Sequence, residues 1–146
     1  MNLHRVTTVL SMLIGLAGIW FGVNFLLDPA TAASGFGTAS WPEGDAAGYF
    51  VVKAARDIAT GAIVLALLAL GERRPLAWVM LLLAVIPFGD ATAVLTHGGD
   101  YATALGVHAA TGTVMLLVAG LLFATSSRGA LRGRSESART GREARV

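Results

Sequence analysis

Lys53, Arg56 and Asp57 lie within one helical turn of one another inside an otherwise apolar stretch. Asp90 interrupts a second such stretch and His108 a third. Ionisable side chains in apolar helices are costly, and they face a cavity, a bundle interior or one another. Lys53, Arg56 and Asp57 stand at i, i+3 and i+4 and share one helix face, which Thr60 and Gly61 extend. Two kinds of chemistry are open to such a set. In the first, Lys53 and Arg56 hold a carboxylate, phosphate or enolate, with Asn24 and His97 as further binding groups. In the second, Asp90 or Asp57 is a general acid or base, His108 is its partner, and Arg56 stabilises developing negative charge. That is the outline of a cofactor-independent isomerase or cyclase for a lipophilic substrate. A third reading is structural. Two cations and two carboxylates sum to zero, as a low-dielectric site requires, and such a network staples helices. The expected pairs are Lys53 or Arg56 with Asp90 across helices, and Asp57 with Lys53 or with a donor on the last span.

The elements that must position these groups are apolar and long. Of 146 residues, 55% are hydrophobic and only 14% charged, against about 25% charged in soluble domains. A helix needs about 20 apolar residues to cross the hydrocarbon core. Four stretches meet or approach that length, at residues 6–27, 49–70, 76–96 and 103–124. Basic residues fall in alternate connections: Arg5 before the first span, Arg73 and Arg74 between the second and third, and six arginines after Thr125. The other two connections carry Asp28, Glu43, Asp45 and Asp100 and no Lys or Arg. Basic loops stay on the cytoplasmic side, so the pattern predicts both termini there. The fold expected is an all-α, integral membrane four-helix bundle over residues 1–125. A disordered basic cytoplasmic tail is expected over 126–146, its arginines touching anionic lipid. The expected location is the plasma membrane, multi-pass.

The first span precedes Ala30, Thr31 and Ala32, a sequence like a signal-peptidase site. A signal h-region runs to about 15 residues at most, and this run is longer, so it is read as a retained span. Gly18 and Gly22, four apart, suit close helix packing. Pro87, three residues before Asp90, removes a backbone hydrogen bond and predicts a kink in the third span.

At about 1.5 Å per residue, Lys53, Arg56 and Asp57 lie roughly 6–12 Å below the outer end of their span, Asp90 and His108 roughly 7–9 Å below theirs. Asn24 sits near the outer end of the first span. The polar groups therefore gather in the outer half, above an inner half of Leu, Val, Ala, Ile and Met. That inner half offers no relay for a conducted proton or solute. The reading is an outward-facing charged pocket for a small amphipathic or anionic molecule.

Other chemistries find little support. Without cysteine there is no thiol nucleophile, disulfide or thiolate site. His97, His108, Asp90 and Asp57 are acceptable metal ligands, but their spacing is not that of a metal motif and two cations stand beside them, so no metal is expected. Gly35, Phe36 and Gly37 begin like a dinucleotide fingerprint without a preceding strand or a third glycine, and no cofactor is expected. The tail arginines lack the interleaved aromatics that stack bases, so nucleic acid is not an expected partner. Membrane lipid is, and a homo-oligomer or an assembly subunit remains open.

Asp28 and Pro29, Phe36 and Gly37, the trio Lys53, Arg56 and Asp57 followed by Gly61, then Asp90, His97 and Gly98, and His108 together resemble the family of small hydrophobic membrane proteins called domain of unknown function (DUF) 4267. The likeness spans about residues 6–125. It implies a four-helix membrane protein without an established activity.

Overall fold

The computed structural model describes the backbone of residues 2–143 and the side chains of residues 2–126. Among them there is helix and turn but no strand. Asn2 caps α1 (Leu3–Leu27), its side chain accepting from the His4 N–H. Asp28 ends α1 and at once caps α2 (Pro29–Phe36), accepting from the Thr31 N–H at 3.1 Å. Pro29 stands at the start of α2, where its missing N–H is harmless. Gly37, at φ 95°, closes α2 in the left-handed conformation that glycine adopts without strain. A 3₁₀ turn (Gly44–Ala47) leads into α3 (Gly48–Ala69). α4 (Arg73–Leu83) and α5 (Val85–Thr96) follow. After α6 (Tyr101–Thr103) comes a π turn (Ala104–Ala109) that continues into α7 (Ala110–Glu143).

Leu3–Leu27, Arg73–Thr96 and Tyr101–Ser126 are each long and apolar enough to cross a membrane, and they mark this as a membrane protein. α3 is about 33 Å long at helical rise, yet its three charges set it apart from them. Large apolar side chains such as Leu13, Trp20, Leu82 and Leu117 are more than half exposed around the outside, as lipid-facing residues are. The stretch expected to be an unstructured tail is helical backbone as far as Glu143. Its side chains, and residues 144–146 altogether, lie outside the described residues.

The helices pair. α1 lies along α3 for most of its length, and α4 lies along α7. Small residues set the first pairing: a Cβ on Gly61 would sit 2.5 Å from the Gly15 carbonyl oxygen, and one on Gly22 2.6 Å from that of Ala54. Only glycine lets the two backbones approach so closely. The second pairing buries Leu76, Met80, Val118 and Leu122 completely, with Val64 of α3 added to the same core. This core lies at the end of the molecule where α3 turns into α4, the Arg73 end. Arg73 itself donates to Thr8 Oγ1 at 3.2 Å and to Thr7 Oγ1, tying α4 to α1.

Toward the other end, the Asp28 end, the backbone is less regular. Pro87 has no N–H to give the Leu83 carbonyl, and the helix breaks at Ala84 between α4 and α5, as its position predicts. The π turn faces α5 at this level. A second, smaller core of Phe25, Ala33 and Ala54 closes this end beneath α2.

Candidate functional site

Four charges meet between α3 and α5. Lys53 Nζ lies 3.0 Å from Asp57 Oδ2 and 3.7 Å from Asp90 Oδ2. Arg56 Nε lies 2.9 Å from Asp57 Oδ1, and its Nη2 lies 3.4 Å from Asp90 Oδ2. Each cation therefore touches both carboxylates. The i, i+4 step puts Lys53 beside Asp57 on α3, and the kink before Asp90 brings that carboxylate across from α5. The group is self-neutral. Asp57 is its most buried member, while the Arg56 side chain is 36% exposed and reaches past the others toward the surface.

Two aromatic rings complete the surroundings of Lys53. Its ammonium sits 4.9 Å from the ring centroids of both Phe25 on α1 and Phe36 on α2. A cation so placed is attracted by the negative ring face. Phe36 also packs at 4.7 Å against the His108 ring, and its carbonyl oxygen lies 2.8 Å from His108 Nε2. A carbonyl can only accept, so Nε2 carries the proton, and in the neutral ring Nδ1 is left as an acceptor. Nδ1 has no hydrogen-bond partner among the described residues. His108 falls within the π turn (Ala104–Ala109), and π-bulges recur at functional sites.

A groove of ≈ 680 Å³ opens beside this network, within the usual range for small-molecule sites. α1 forms one wall from Leu10 to Asp28, about 27 Å at helical rise. Lys53, Asp57 and Asp90 lie on its wall near the Asp28 end, with His108 and Asn24. Toward the Arg73 end it is lined by Leu10, Ile14, Val64, Leu83 and Met115. Leu13, Trp20 and Phe21 of α1, Val107 of the π turn and Val114 of α7 line it and are also exposed. The opening is therefore lateral, between α1 and α7.

Of the residues singled out from the sequence, Asp57, Asp90, His108, Lys53 and Asn24 border one groove. Arg56 joins the network but does not line the groove. His97 stands apart: it is exposed at the end of α5, with Nδ1 2.9 Å from the Ala93 carbonyl of its own helix and 3.0 Å from Thr96 Oγ1. No trio of His, Asp or Glu gathers as a metal site would among the described residues.

Sequence reasoning missed Phe25 and Phe36 as walls of the lysine site, and it read residues 28–48 as a loop. The signal for α2 was there: Asp28 followed by Pro29, then Gly37, is a helix start and stop. Both caps near the site carry acids. Asp28 is held below the ordinary carboxylate value by the Thr31 hydroxyl and then by its backbone N–H. Asp100, capping α6, is lowered by the Thr103 backbone N–H and then its hydroxyl.

The model of a family described as domain of unknown function (DUF4267) matches residues 15–122. No curated protein and no solved structure matches the chain.

Proposed function

Because the chain belongs to the DUF4267 family, whose description names no activity, we propose from its own residues that it is a multi-pass plasma-membrane protein that binds a small amphipathic molecule in the groove beside Lys53, Asp57, Asp90 and His108. One observation carries this: the charged network opens onto a continuous trough whose Arg73 end is lined by apolar side chains, Leu10, Ile14, Val64, Leu83 and Met115 among them. A staple needs no such space. A molecule with a polar head at the network and a lipophilic body along α1 fits both ends, and the lateral opening lets it enter from the bilayer.

The topology that goes with this reading has four spans, α3 included, with both termini cytoplasmic. Its support is the alternation of basic and acidic connections and the packing of α3 along α1. The α3 charges lie against α5, α1 and α2, and they neutralise one another, which lets so polar a helix stay in the bilayer. On this topology the network faces the outer leaflet.

Native mass spectrometry of gently purified protein tests the proposal, with wild type beside Thr111→Trp and Lys53→Met. Thr111 lines the groove and is exposed, so an indole there fills space without invading the core. The expected result is a defined small molecule on wild type and none on folded Thr111→Trp. An empty wild type, with Lys53→Met losing its thermal transition, would make the network a staple and end the binding reading.

Acid–base catalysis on the bound molecule is the second reading. The observation favouring it is the fixed His108 ring, with an unpaired Nδ1 on a groove that also holds two carboxylates. Incubating the loaded protein in D2O tests it. Deuterium appearing at carbon in the recovered molecule, and absent with His108→Phe, is the expected signature; no exchange in either would remove the enzyme reading.

A further inference from the structure

Among the described residues that line the groove, hydrogen-bond acceptors outnumber free donors, which beside Lys53 are the Trp20 indole N–H and the second amide N–H of Asn24, and this bears on the head group it takes. Three of its polar side chains donate to carbonyls of their own helices. Thr60 Oγ1 donates to the Asp57 carbonyl at 3.0 Å, Thr111 Oγ1 to the Val107 carbonyl at 2.7 Å, and Asn24 Nδ2 to the Trp20 carbonyl at 2.7 Å. Each hydroxyl or amide oxygen keeps lone pairs to offer. His108 Nε2 is engaged by the Phe36 carbonyl, which in the neutral ring leaves Nδ1 as a further acceptor. Asp57 and Asp90 add carboxylate oxygens to the same wall. Against these stands Lys53, the one cation lining the groove among the described residues. Its ammonium already has two carboxylates and two aromatic rings around it.

Charge points the same way. Lys53 and Arg56 are balanced by Asp57 and Asp90. A bare anion arriving here would add an uncompensated charge in a low-dielectric site and would meet two carboxylates. An ammonium would add an uncompensated charge of the other sign. A neutral head that donates hydrogen bonds costs neither.

We infer that the groove selects an uncharged, hydroxyl-bearing head group on a lipophilic body, its O–H groups donating to His108 Nδ1 and the neighbouring acceptors. This rests on the binding reading above and narrows it: Lys53 and Arg56 hold the carboxylates in place and are not an anion clamp.

The test uses three probes with the same sixteen-carbon body scale and different heads: monopalmitin, which is neutral with two hydroxyls, 1-hexadecanesulfonate, an anion without a donor, and hexadecylamine, a cation. Each is titrated into the full-length protein in a mild detergent, reading native mass spectra and the shift of the thermal midpoint. Monopalmitin is expected to bind at least tenfold more tightly than either charged probe. Thr111→Val, which removes one acceptor at constant shape, lowers monopalmitin binding severalfold, and His108→Phe, which keeps the ring packed on Phe36, lowers it about tenfold. Sulfonate or amine binding as tightly as monopalmitin would overturn the inference while leaving the groove reading intact. So would unchanged monopalmitin binding in folded Thr111→Val and His108→Phe. If none of the three probes binds, the groove reading falls with it.

Discussion

The two ends of this molecule are built on different principles. At the Arg73 end the helices are regular, the core of Leu76, Met80, Val118 and Leu122 is sealed, and one arginine ties α4 to α1 through hydroxyls. At the Asp28 end a proline breaks one helix, a π turn widens another, and three of the four networked charges border open space. Close packing needs regular surfaces that interdigitate. Irregular backbone at membrane depth persists only where it is buried in protein or lines a cavity. The larger sealed core thus lies at one end, while at the other a smaller core shares its space with a cavity and charged side chains.

Variants can break or sharpen that contrast. The largest effect is expected from Leu122→Ala, where a fully buried side chain leaves a cavity costing about 2–5 kcal/mol. Thermal unfolding should show the loss while the folded fraction keeps its bound molecule; loss of the molecule from folded protein would show that the ends are not separable. Asp57→Asn comes next. It removes the negative charge between Lys53 and Arg56 and turns one of the two accepting oxygens into an NH2 donor, and it should cost about 3 kcal/mol, the low side for a broken buried pair because Arg56 reaches the surface. It should also lower occupancy of the groove, and equal occupancy in wild type and variant would detach the network from binding. Arg73→Met removes the donors to Thr7 and Thr8 and should cost about 2 kcal/mol without touching occupancy. The smallest effect belongs to Asp28. Its carboxyl is lowered in the folded protein by Thr31, so its contribution is full above the unfolded value near pH 4 and fades as pH falls through the folded value. Asp28→Asn should keep the cap and flatten that acid limb of the stability curve; an unchanged limb would assign it to other carboxylates.

Much of this was legible in the chain. The helical character, the glycines that seat α1 on α3, the break ahead of Asp90 and the family all follow from residue types and spacing. So does the meeting of Lys53, Arg56, Asp57 and Asp90, because topology and helical rise put them at one depth. The partition of contacts was not legible. Periodicity says that Arg56 and Lys53 share a face, but not that Arg56 lies behind the carboxylates while Lys53 borders the groove. His97 shares a face with Asp90 by its seven-residue spacing, yet it sits where α5 ends, and its ring folds back onto its own helix. The π turn has no sequence signature of the kind that proline gives a kink, so the carbonyl partner of His108 could not be foreseen.

On the binding proposal, the Asp28 end is an outward-facing groove that an amphipathic molecule fills. The chain has no cysteine, and Gly35 lines the groove where an added side chain meets nothing within 4 Å. Gly35→Cys in intact cells, treated with a membrane-impermeant maleimide with and without added monopalmitin, reads both parts of the claim. The account predicts labelling from outside that monopalmitin slows. Labelling only after the membrane is permeabilised, or at a rate that monopalmitin leaves unchanged, would contradict it.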